Sequence, residues 1–113
     1  MEWEVVELMG YAHYAKLGYR ILTPLVKNDG YDFVAEKDGS FIRVNVKLAG
    51  KKSRKIENSW SISIASGSNN RINKVVCDIF LVMLPHKCVF IELPGDFFVG
   101  SKSKSKLIPR QMI

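Results

Sequence analysis

Cysteine is scarce in this chain: Cys77 and Cys88 are the only two in 113 residues. They form no CxxC pair and have no histidine at zinc-finger spacing, which excludes a zinc-finger framework. If strands turn near Pro85-His86, Cys88 falls opposite Met83 and Cys77 lies several residues away. The expectation is therefore two buried free thiols in a reducing cytosol rather than a disulfide. Base is missing from the start, where MEWEVVEL carries acid instead, so the segment does not read as a signal peptide. No apolar run approaches membrane-spanning length, and there is no internal repeat and no sign of a second domain. A cytoplasmic protein with no membrane partner and no organic cofactor is expected. Acid is also short: 11 Asp and Glu stand against 17 Lys and Arg, a formal net charge of +6. That excess favours polyanionic partners, nucleic acid first. A merely soluble basic protein is the alternative.

What is present is enough for one core. A chain of this length, 47% hydrophobic, is a single ordinary globular domain. Its centre is residues 31–48, YDFVAEKDGSFIRVNVKL, two alternating runs about an Asp38-Gly39 turn signal. A two-residue turn pairs Lys37 with Ser40, and counting outwards sets Ala35 against Ile42, Phe33 against Val44 and Asp32 against Asn45. Alternation then projects Asp32, Asn45 and Lys47 from one side of the ribbon. Tyr31, Phe33, Ala35, Ile42, Val44, Val46 and Leu48 project from the other, as a core face.

Residues 2–17 read as a helix ended by Gly18. Trp3, Val6, Gly10, Tyr14 and Leu17 form one stripe, and Val5, Leu8 and Met9 make the opposite side apolar too, so cover is expected on more than one face. Glu7 falls inside the stripe, with Glu4 nearer its edge. An acid there costs free energy unless paired: it is either a snorkelling surface acid or a carboxylate aimed into a site. Residues 19–26 look like a first strand with Pro24 near its exit. After Leu48 come Lys51, Lys52, Arg54 and Lys55, four basic residues in five positions. They are a solvated loop or a place for a phosphate backbone, with Arg71 and Lys74 further along. Residues 59–65, SWSISIA, alternate as a half-buried strand whose serine face meets water or phosphate. Residues 75–84 form an apolar run broken by Asp78, as in a strand buried on both faces, and residues 88–93 form another strand. Residues 96–99 begin a short helix or an extended segment. Residues 1–100 are read as the domain and 101–113, where Ser alternates with Lys, as a basic tail or DNA-contacting arm. The order describes an α+β or α/β sheet with a helix against it.

A carboxylate and an oxygen ligand opposite it can share a hard cation such as Mg²⁺, and a lysine two residues on can orient water or steady a pentavalent phosphate. That set suits metal-assisted phosphodiester hydrolysis. A diagonal Asp32–Lys47 ion pair on a solvent face is the structural alternative. The run Gly30-Tyr31-Asp32 followed by Val44-Asn45-Val46-Lys47 resembles the D-X(n)-(E/Q)-X-K core of the PD-(D/E)XK nuclease superfamily. Glu7 in a first helix ending Lys16-Leu17-Gly18-Tyr19 is similar to the helix-one glutamate of junction resolvases. Residues 76–80 and 88–91 resemble the closing strands, so the likeness spans roughly residues 4–95, with homing endonucleases and Holliday-junction resolvases among the relatives. It implies a restriction-endonuclease-like core, a central mixed sheet with the N-terminal helix packed on it. It further implies Asp32 and Glu7 on Mg²⁺ (or Mn²⁺), Asn45 in the Glu/Gln position as auxiliary metal or water ligand, and Lys47 as the catalytic lysine. Duplex or branched DNA is the implied substrate, and a homodimer or homotetramer the implied assembly. Lys51, Lys52, Arg54 and Lys55 are backbone clamps on this reading, with Arg71 and Lys74 beside them. Tyr31 replaces the usual proline, and Asn45 is one methylene shorter than Gln and uncharged. That departure leaves open a weakened or inactive nucleic-acid-binding module of the same fold. An RNA-cleaving toxin domain is a further alternative.

Overall fold

A computed structural model describes residues 1–27, 30–51, 59–64 and 74–113. Helix α1 runs Trp3–Lys16. It stops where expected: Gly18 adopts φ +90°, and its N–H bonds the Ala15 carbonyl at 3.0 Å. Strands β1 (Arg20–Leu22), β2 (Phe33–Lys37), β3 (Ser40–Leu48), β6 (Ile79–Leu84) and β7 (Val89–Pro94) form a five-stranded sheet in the order β1-β2-β3-β6-β7. The β3–β6 pair is parallel and the other three are antiparallel, so the sheet is mixed. Strands β4 (Gly50–Lys51), β5 (Trp60–Ser63) and β8 (Ser105–Leu107) form a second, three-stranded sheet, and a 3₁₀ turn, Arg110–Met112, follows it.

The central hairpin has the register its turn chemistry demands. Lys37 pairs with Ser40, Ala35 with Ile42 and Phe33 with Val44. Asp38 and Gly39 take φ +51° and +83°, the positive pair of a type I′ turn. From this ribbon two cores grow on opposite faces. Phe33, Ala35, Val44 and Val46 meet Val6 and Tyr14 of α1 and Leu81 and Met83 of β6. Phe80, Val82, Leu84 and Leu93 meet Ile62, Ile64, Phe97, Phe98 and Ile108 on the other side. Strand β6 begins only at Ile79, after Asp78 and not at residue 75 as expected, and it feeds both cores alternately, which is why its sequence is continuously apolar. The helix approaches β3 closely at Gly10, where an added Cβ would stand 3.1 Å from Val46 Cγ2.

Several expectations are corrected. Ladder pairing stops at Phe33, so the expected Asp32–Asn45 pair does not form and alternation does not reach Tyr31, which packs against the second core instead of the helix-side one. Strand β1 ends at Leu22; beyond it Leu25 and Val26 are exposed, because β2 offers no residue before Phe33 to pair with them. Val5 and Leu8 are exposed at 46% and 63%, so in the single chain α1 is covered on one side only. Gly50 and Lys51 are strand rather than loop, and on the serine face Ser59 and Ser61 are buried while Ser63 is exposed. The β6–β7 turn is longer than counted: Met83 faces Phe90, and Cys88 sits exposed in the turn with φ +53°. Cys77 alone is buried, and both thiols are free. Residues 96–99 form turns that bury Phe97 and Phe98. In the region read as tail or arm, β8 pairs with β5 and Ile108 is buried. Among the described residues no helix is long and apolar enough to cross a membrane.

Candidate functional site

Asp32 stands just before β2, where the ladder ends. Its N–H bonds the Val44 carbonyl at 2.8 Å, and its Oδ2 accepts the Val46 N–H at 2.6 Å. The acid is thus tied to β3 at the residue between Asn45 and Lys47. Asn45 is buried, and its Nδ2 donates to the Gly30 carbonyl at 3.2 Å. A carbonyl acceptor in that place selects the amide nitrogen, so the amide oxygen is turned away from Gly30. Val44 and Val46 face the helix-side core. Alternation therefore puts Asn45 and half-buried Lys47 on the other face of the sheet, beside Phe80 and Val82 of β6.

Glu7 is half-buried on α1, one turn before Tyr11. Tyr11 Oη donates to Glu7 Oε1 at 2.7 Å, and the Tyr11 ring stands edge-on to Phe33 with centroids 5.0 Å apart. Burial, the bond to Glu7 and the charges of Glu7 and Asp32 push the Tyr11 phenol up to about 12. Glu7, Tyr11 and Asp32 line one cavity of about 430 Å³ together with Trp3, Lys27 and Tyr31. Asn45 and Lys47 are not among its lining residues; they flank Val46, whose N–H holds Asp32.

Glu7 and Asp32 are hard oxygen donors, the kind a hard cation takes. Among the described residues no three His, Cys, Asp or Glu gather as metal ligands. The two carboxylates that share the cavity, completed by water and substrate oxygens, match the way Mg²⁺ is commonly held. Glu7 is oriented by a phenol and Asp32 by a backbone amide.

The basic residues are only partly placed. Lys51 is exposed on β4 opposite Trp60, whose ring stacks on His86 at 4.3 Å and 8°. Lys51 lies five residues beyond Val46, at most about 18 Å along the chain. Lys74 is exposed. Lys52, Arg54, Lys55 and Arg71 lie outside the described residues. Asp78, which interrupts the apolar run, is a latch between strands. It accepts from the Arg43 backbone N–H at 2.7 Å and pairs with the Arg43 guanidinium at 3.2 Å. Sequence reasoning missed Tyr11, whose i, i+4 spacing from Glu7 was the available signal, and Gly30, whose carbonyl has none.

A mixed sheet with one helix on its hairpin, and acids meeting where that hairpin ends, is a restriction-endonuclease-like fold. The solved structure of a bacterial homing endonuclease, I-Ssp6803I, shares it: the TM-score is 0.71 at 19% identity, over 93% of this chain and 70% of that one. The family model described as PD-(D/E)XK endonuclease matches residues 4–111, and the chain belongs to that family. No curated protein sequence matches it.

Proposed function

We propose that this protein is a divalent-metal-dependent DNA endonuclease that hydrolyses phosphodiester bonds, acting as a homodimer or homotetramer on a homing-type site or a branched junction. The observation that carries the reading is the shared cavity of Glu7 and Asp32, one acid from the helix and one from the central hairpin. In this reading the two carboxylates hold Mg²⁺, or Mn²⁺ in its place, with Asn45 as an auxiliary oxygen donor. Bound there, the ion supplies Lewis acidity and a lowered water pKa. Lys47 offsets charge growing on the phosphate or orients the attacking water, while Lys51, Lys52, Arg54, Lys55, Arg71 and Lys74 track the DNA backbone. Binding should therefore weaken steeply as salt rises.

The test is cleavage of supercoiled plasmid and of a four-way junction in Mg²⁺ or Mn²⁺, beside Asp32→Ala and Lys47→Ala. Loss in both variants is expected, and the substrate cut distinguishes site from junction preference. DNA binding that persists in chelator, with no cleavage by the natural chain, would sink the enzyme in favour of a binding module. Asn45 favours that second reading, since it brings no charge and, buried, does not line the cavity of Glu7 and Asp32. Cleavage of tRNA but not duplex DNA would point to an RNase instead.

A further inference from the structure

Tyr11 is bound at both ends. Its ring is seated edge-on against Phe33, the residue after Asp32, and its hydroxyl reaches back one helical turn to Glu7 Oε1 at 2.7 Å. Gly10 makes the first contact available, because a side chain there would crowd Val46. The second is a short, charge-assisted bond, stronger than one between neutral groups. A half-buried glutamate has several rotamers open to it; a donor fixed by packing against the neighbouring strand selects one.

We infer that Tyr11 is a positioning residue, which couples the helix acid to the hairpin acid and holds the Glu7 carboxylate in the geometry that a divalent cation requires. The inference rests on the reading of Glu7 and Asp32 as the metal-binding pair. Tyr11 itself touches neither metal nor substrate; it acts through Glu7, as the partners of metal ligands commonly do. Losing such a partner typically costs roughly 10- to 100-fold in affinity.

Tyr11→Phe removes the hydroxyl and keeps the ring on Phe33. Isothermal titration of the full chain with Mn²⁺ should show affinity about 10-fold weaker than in the natural protein. The Mg²⁺ concentration for half-maximal plasmid cleavage should rise by a similar factor, with the rate recovering at saturating Mg²⁺. In a Glu7→Ala background the same substitution should add no further loss. Unchanged Mn²⁺ affinity in Tyr11→Phe, with binding lost in Asp32→Ala, overturns the inference and leaves the nuclease reading standing. A penalty that persists without Glu7 also overturns it. If the natural chain binds no Mn²⁺, or Asp32→Ala binds it equally well, both readings fall.

Discussion

Asp32 owes its place to a ladder that ends one residue too soon for it. Past the last pair, Phe33 with Val44, its side chain turns onto the Val46 amide. Asn45 answers from the facing strand by holding Gly30, so residues 30–32 are fastened to β3 at both ends. Replacing Asn45 therefore sets two effects against each other. Asn45→Glu is one methylene longer and charged, so it extends an oxygen donor towards the cavity that Asn45 itself does not line and should tighten Mg²⁺ binding. Losing the amide bond to the Gly30 carbonyl should cost about 1 kcal/mol or more of stability. Metal titration beside a urea melt reads both. A variant that gains stability and binds no more metal would refute the opposition. Asn45 was legible as a departure from the motif, because residue type is local information. Its hydrogen bond was not, because that depends on how the loop before Asp32 folds back.

At the scale of elements, the separation of the acids is set by how closely α1 lies on the sheet. Gly10 is the contact point: a Cβ added there would meet Val46 Cγ2 at 3.1 Å and Leu81 Cδ2 at 3.5 Å. Alanine there gains up to about 1 kcal/mol of helix propensity, which offsets much of the crowding. Valine gains less and crowds more, so Gly10→Val should lose roughly 1–3 kcal/mol. It should also weaken Mn²⁺ binding, since Glu7 moves with the helix; a urea melt and a titration test this. The Arg43–Asp78 latch joins β3 to β6. The bond from the Arg43 guanidinium, with the Arg43 backbone N–H, holds the Asp78 carboxyl below its usual range. Because the folded value is the lower one, the latch stabilises the fold above about pH 4. That contribution disappears as pH falls through the depressed value. Asp78→Asn should therefore show a flatter acid limb in Tm measured from pH 6 downward, and an unchanged slope would count against the latch.

For the whole molecule, the residues after Gly100 are a structural part. Ser105–Leu107 completes the three-stranded sheet, and Ile108 is 3% exposed. Lys87 Nζ donates to the Ile113 carbonyl at 2.7 Å and Lys106 Nζ to the Phe97 carbonyl at 2.6 Å. Ending the chain at Gly100 should cost roughly 2–3 kcal/mol from Ile108 alone, before the lost β5 pairing is counted. A denaturant midpoint unchanged by the truncation would restore the reading of these residues as a basic tail or DNA-contacting arm.

The helix with its glycine stop, the type I′ hairpin and its register, and the two-faced β6 were all determined by the sequence alone. In each, residues near in the chain decide: a turn dipeptide, a cap, a period of two or 3.6. The family resemblance was legible for the same reason, since its spacing lies within one hairpin and one helix. What the tertiary structure decided are the contacts between distant segments. Strand β8 has no apolar alternation of its own and becomes a strand because β5 offers an open edge. Tyr31 changes core because the ladder stops at Phe33 and the Asp32 side chain takes the N–H of Val46, the residue Tyr31 would face. The meeting of Glu7, Tyr11 and Asp32 in one cavity depends on a glycine that lets a helix settle onto a sheet, a packing distance that no local pattern encodes.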